Sequence, residues 1–150
     1  MTRKSSVENF LSQRTLAIVG VSRSGKKFGN MIFKELSEKG FKLLPINPNA
    51  ERIGEYTCYG NLNSLPEPVG GLIIVVPPSQ TEQIVKDAAV AGIKRVWMQQ
   101  GSESKEAIEY CEKNGISVVA GECILMFAEP TAFFHRLHRS IWKILGKLPR

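Results

Sequence analysis

Cysteine is scarce in this chain and badly placed for cross-linking. Its three thiols, Cys58, Cys111 and Cys123, are odd in number, lie far apart and include no Cys-x-x-Cys pair. That excludes a stapled secreted scaffold and a thiolate zinc site, and it points to a reducing, cytoplasmic setting. Histidine is scarcer still, with only His135 and His138. Their i, i+3 spacing puts them on one helix face, but no third ligand stands near, so no metal site is expected. No apolar run follows Arg3 and Lys4, so no secretory leader is expected. No stretch approaches the ~20 apolar residues that span a bilayer. Acid is missing from residues 131–150, which carry Arg136, Arg139, Lys143, Lys147 and Arg150. The formal charge of +6 therefore belongs to the ends. Between Thr15 and Pro130, twelve bases face thirteen acids, with one basic knot at Arg23, Lys26 and Lys27. With no recognised binding motif in that body, no nucleic-acid partner is expected.

What is present is alternation. Val7, Phe10 and Leu11 recur at helical spacing over 5–11. Thr15–Val21 reads as a buried strand. Residues 28–39 read as a helix that turns Met31, Ile32, Phe33 and Leu36 inward and stops at Gly40. Lys42–Asn47 is a second strand, where Pro45 removes one ladder donor. Residues 48–70 are rich in Pro and Gly and read as loop, with a turn of helix at 63–65. Gly71–Val76 is apolar on both faces and therefore central. A helix over 79–91, a strand over Arg95–Gln99 with Trp97 in the core, and a helix over Lys105–Asn114 ended by Gly115 follow. Then come a strand over Ser117–Ala120 and a helix over 131–146. Strands alternating with helices through short connections imply right-handed βαβ units. The expected fold is α/β: a three-layer, Rossmann-like, doubly wound parallel sheet of about five strands, with an added C-terminal amphipathic helix. The expected parts are an N-terminal helix over 1–14 packed on the domain, the domain over 15–128, and the basic helix over 129–150. Strand one is expected at the switch point, where ligands of such sheets bind.

The segment from Gly20 to Gly29 follows a strand and opens a helix. There the backbone N–H groups carry partial positive charge that favours an anion. Gly20 permits a tight turn, Ser22 and Ser24 add hydroxyl donors, and Arg23, Lys26 and Lys27 add cations suited to phosphate. Three ligand classes compete. The spacing of Gly20, Gly25 and Lys26 matches a Walker A loop until its last position. That position needs a magnesium-binding hydroxyl and holds Lys27, and the strand ending Val75-Val76-Pro77 offers no Walker B acid. A dinucleotide fingerprint would want glycine at Ser22 and an acid at Asn47. NAD is therefore disfavoured, while NADP stays open. The third class is an adenine nucleotide with further phosphates, such as coenzyme A.

Gly20-Val21-Ser22, Pro45-Ile46-Asn47-Pro48, Val76-Pro77-Pro78, Trp97-Met98-Gln99-Gln100-Gly101 and Glu122-Cys123 occur in the order seen in the CoA-binding-domain proteins. From about Thr15 to Met126 the chain resembles these stand-alone relatives of the N-terminal Rossmann domain of the succinyl-CoA synthetase α subunit. The resemblance implies a coenzyme A site. Gly20, Val21, Ser22, Arg23, Ser24, Lys26 and Lys27 would meet phosphates. Asn47, Pro48 and Asn49 would meet the ribose and its phosphate. Val76, Pro77 and Pro78 would wall the adenine or the pantetheine arm. No catalytic residue carries over. Two departures stand out: Gly70-Gly71 where members often carry an acid, and a longer tail after Glu129.

The expected function is thus non-catalytic binding of coenzyme A or an acyl-CoA, as a sensor, carrier or regulator. One alternative is a small NAD(P)-binding oxidoreductase or redox sensor, which lacks a convincing acid–base pair. The other is an interaction protein acting through its tail. There Phe134, Leu137, Ile141, Ile144, Leu145 and Leu148 form a stripe opposite Arg136, Arg139, Lys143 and Lys147. Docking on its own domain ranks first for that helix, then a homodimer, then an anionic membrane. Cys123, after the last strand, reads first as a small buried residue and second as a thiol partner for the ligand.

Overall fold

The computed structural model describes residues 4–128. Helix α1 (Lys4–Leu11) leads into strand β1 (Thr15–Val19), helix α2 (Phe28–Glu38) and strand β2 (Lys42–Ile46). A two-stranded hairpin, β3 (Arg52–Ile53) and β4 (Tyr56–Thr57), and a 3-10 turn (Leu62–Ser64) precede β5 (Gly71–Ile74). Helix α3 (Pro78–Val90), β6 (Arg95–Gln99), α4 (Lys105–Lys113), β7 (Ser117–Glu122) and a last 3-10 turn (Ile124–Met126) complete the described chain. The main sheet is parallel throughout, in the order β2-β1-β5-β6-β7. The order reverses between β1 and β5, so the switch point lies beside β1 as expected.

The strands read as apolar runs because both faces of the sheet are covered. Leu16, Ile18, Ile73, Trp97 and Val119 pack on one face with Val7 and Phe10 of α1 and Ile32, Phe33 and Leu36 of α2. Ala17, Leu72, Ile74, Val96 and Met98 point the other way, to Val85 and Ala88 of α3 and Ala107 and Cys111 of α4. Successive side chains in a strand take opposite faces, which is why one residue separates the two sets. Helix α2 ends by a left-handed residue at Gly40, after which Phe41 N–H bonds back to Leu36 O at 3.1 Å and buries its ring. The same arrangement closes α3 through Ile93 and α4 through Ile116.

Helix α1 lies against the sheet through Phe10, which meets Trp97 edge-on at 5.4 Å between ring centroids. Gly70, just before β5, and Gly71, its first residue, make room for it. A Cβ on Gly71 would stand 2.6 Å from the Phe10 ring, and one on Gly70 would stand 2.6 Å from Gln13 Cβ. Arg95 then ties the helix down, donating to Asn9 Oδ1 and Gly70 O, each at 3.2 Å. Glycine at 70 and 71 thus has a local cause: the chain entering β1 passes over this spot.

The structure corrects several details. Met31 is 52% exposed rather than inward, because Ile32, Phe33 and Leu36 already fill the buried arc of α2. The strands end earlier than their apolar runs, at Val19 and Ile74, and β7 runs on to Glu122. Residues 48–70 include the β3–β4 hairpin, anchored by Ile53 in the core and by Tyr56, edge-on to Phe33 at 4.8 Å. Pro45 costs the ladder nothing. Lys42 N–H donates to Arg14 O, so alternation turns residue 45 outward, where its carbonyl takes Tyr59 N–H at 2.9 Å. A proline on an outer edge also blocks pairing with another sheet. Among the described residues no helix is long and apolar enough to cross a membrane. Deleting the Phe10 ring (Phe10→Ala) removes the main contact of α1 and should destabilise the fold by about 3–5 kcal/mol, measurable by urea denaturation.

Candidate functional site

At the carboxyl edge of the sheet, three segments meet at van der Waals limits. Gly20 has φ +118°, and a Cβ there would lie 2.1 Å from Val75 O, at the end of β5. Gly29, in the first turn of α2, faces Gly20 so closely that a Cβ would lie 2.2 Å from Gly20 O. The glycines that begin and end the loop therefore answer to each other and to β5, holding α2 against the switch strand. Sequence reasoning assigned Gly20 to a turn near a ligand; its constraint comes from the protein itself.

The loop between them is tied by side chains. Asn30 accepts from Ser22 N–H at 3.0 Å and donates to Ser22 O at 2.9 Å, a two-point clamp. Ser22 Oγ lies 3.0 Å from Ser24 Oγ and accepts from Ser24 N–H; Ser24 Oγ accepts from Lys26 N–H. Asn47, after β2, donates to Val21 O at 3.0 Å and accepts from Asn49 N–H at 2.8 Å. Its amide thus fastens the loop to β2 with one donor and one acceptor site. Asn30 escaped the sequence reading because only the fold turns it back onto Ser22.

What the loop leaves open is positive. Lys27 is the N-terminal cap residue of α2, and its side chain makes no capping hydrogen bond. Arg23, Lys26 and Lys27 are exposed, and none enters an ion pair among the described residues. Helix polarity and mobile cations coincide there, which is how anions are held at helix N-termini. Beside it opens a cleft of about 660 Å³ lined by Arg23, Asn47, Pro48 and Asn49 with Ala50, Glu51, Arg52, Cys58 and Gly60. Gly20, Val21, Ser22, Ser24, Lys26 and Lys27 do not line that cleft, nor do Val76, Pro77 and Pro78. The last three follow β5 at the same edge. Val76 N–H donates to the buried Ser102 hydroxyl at 3.0 Å, and Pro77 and Pro78 have no N–H, so this segment presents apolar surface rather than donors. Neither Arg52 nor Cys58 carries a sequence signal for this cleft, because the two-residue strands β3 and β4 are too short to show a period.

Along the far side of the edge, β6 and β7 slip register at Met98/Gln99, with Gly121 as the extra residue. Buried Gln99 accepts from Ile124 N–H, and Trp97 Nε1 donates to Glu122 O. Burial raises the Glu122 carboxyl above its usual value. Cys123 is half-buried against the core; Cys58 and Cys111 are buried, and all three thiols are free. Burial raises the Cys58 thiol, and burial with the Glu112 charge raises Cys111 from 9.0 to about 11. His135, His138 and the basic stripe of 131–148 lie outside the described residues.

Residues 14–129 match the CoA binding domain family. The α subunit of the ADP-forming acetate–CoA ligase II of Pyrococcus furiosus is 29% identical over 129 residues, which are 79% of this chain and 28% of that subunit. The chain thus spans little more than a quarter of that relative. Uncharacterized protein YneT of Bacillus subtilis is 20% identical over 122 residues, 81% of this chain and 90% of its own. Among solved structures, a conserved hypothetical protein from Pyrococcus furiosus is 42% identical with a TM-score of 0.71, covering 74% of this chain and 96% of that one. A hypothetical protein from Pyrococcus horikoshii OT3 is 27% identical with a TM-score of 0.76, covering 83% and 87%.

Two outcomes follow from the site's packing. Alanine at a helical glycine ordinarily stabilises by up to about 1 kcal/mol; Gly29→Ala should instead destabilise by about 1–3 kcal/mol, read by thermal or urea melts, because its Cβ has no space. Between pH 9 and about 11 the folded chain keeps a Cys111 proton that the unfolded chain has released. Stability complete below pH 9 is therefore lost as pH rises through that window, and Cys111→Ala should flatten the loss in urea melts at pH 8 and 10.

Proposed function

This chain belongs to the CoA binding domain family, and we propose that it binds coenzyme A or an acyl-CoA without transforming it, as a sensor, carrier or regulator. The observation that carries the reading is the N-terminus of α2, set at the switch point and flanked by Arg23, Lys26 and Lys27, which enter no ion pair among the described residues. Coenzyme A joins a pyrophosphate and a ribose phosphate to a long arm of short alkyl stretches linked by amides. Those groups fit the chemistry present: an anion seat, a cleft with arginine and asparagine, and an apolar segment after β5. In this reading the pyrophosphate meets Gly20, Val21, Ser22, Ser24, Lys26 and Lys27. Arg23, Asn47, Pro48 and Asn49 attend the ribose, and Val76, Pro77 and Pro78 wall the adenine or the arm.

Binding rather than turnover is favoured because, among the described residues, the one nucleophile lining the cleft is the Cys58 thiol, which burial pushes up and so away from the reactive thiolate. A dinucleotide reading has less support, since Asn47 stands where a ribose-binding acid would be and its amide fastens Val21. Isothermal titration of the full chain with coenzyme A, NADH and NADPH tests the proposal. Coenzyme A should bind most tightly, and its affinity should fall steeply with added salt. Absence of coenzyme A binding at millimolar ligand would overturn it.

A further inference from the structure

Two arginines from separate elements line the cleft beyond β2. Arg23 enters from the loop after Gly20, and Arg52 from β3. The hairpin that carries Arg52 is fastened to α2, because its neighbour Ile53 is buried with Phe33 and Tyr56 rests edge-on against that ring. Arg52 itself is exposed, and its Nη2 donates to Glu55 O at 3.0 Å across the hairpin turn. One corner of the guanidinium is thereby fixed, while a guanidinium has five N–H donors in all. Among the described residues Glu51 is the one carboxylate lining the cleft, and burial pushes the Cys58 thiol up, so the two arginines leave this lining positive. Lys26 and Lys27 lie outside this cleft, beside the start of α2. The edge of the sheet therefore offers two anion positions, one at the helix end and one between Arg23 and Arg52.

A ligand that uses both must carry two separated phosphate groups. A phosphomonoester brings about −1.5 to −2 charges at pH 7, and its oxygens match the fork of an arginine. Resting on the coenzyme A reading, we infer that Arg52, acting with Arg23, binds the ribose 3′-phosphate. Arg52 is then the residue by which the site separates coenzyme A from nucleotides lacking that group.

The test is isothermal titration of the full chain, Arg52→Gln and Arg52→Lys, each with coenzyme A and with dephospho-coenzyme A. The unmodified chain should prefer coenzyme A. Arg52→Gln should weaken coenzyme A by about tenfold or more while leaving dephospho-coenzyme A within about twofold, and so abolish the preference. Arg52→Lys, which keeps the charge and loses the fork, should fall between. Equal losses for both ligands, or none for either, would overturn the inference. So would an unmodified chain that binds both ligands equally, a result that leaves the coenzyme A reading standing. An unmodified chain that binds neither ligand removes that reading and this inference together.

Discussion

The contact between Gly20 and Gly29 sets the rest of the site in place. Neither residue tolerates a β-carbon, because the turn after β1, the first turn of α2 and the end of β5 occupy one small volume. This approach aims the start of α2 along the carboxyl edge of the sheet, beside the switch point, where backbone dipoles and three cations add up. The Asn30 clamp and the Asn47 tether hold the intervening loop to that frame. A loop fixed by its own hydrogen bonds loses less freedom when a ligand arrives.

The architecture was legible wherever apolar runs alternated with glycine-stopped helices. Every strand of the main sheet and every helix of the described chain fell where periodicity placed it, within a few residues at the ends. The reversal beside β1 is where a doubly wound sheet of this pattern is expected to place it. Less legible was anything that depends on two distant segments meeting. The hairpin of Arg52–Ile53 and Tyr56–Thr57 is too short to show a period, and it forms because Ile53 and Tyr56 find Phe33 of α2. Met31 looked like a core residue from spacing alone, since apolarity does not say which arc of a helix is already filled. The need for glycine at 70 and 71 comes from Phe10 and Gln13, which lie against them from a distant segment.

The candidate site divides the same way. Its cations, its glycines and the asparagine after β2 could be named from their place after a strand. Their roles could not. Asn47 and Ser22 were read as ligand donors, and the fold engages both in holding the loop. Asn30 and Arg52, one a clamp and the other a cleft residue, came only from the structure. The proposed reading shifts accordingly: the exposed cations and helix end would meet the ligand, while the polar residues around them keep that geometry.

The central claim is that the phosphates of coenzyme A sit at the start of α2. Amide chemical shifts of the isotopically labelled chain, followed as coenzyme A is added, test it most directly. The account predicts saturable shifts at the Phe28 and Gly29 amides, with further shifts at Arg23 and Asn49. Binding that leaves the loop from Gly20 to Gly29 unmoved, or shifts only residues at the opposite edge of the sheet, would contradict it.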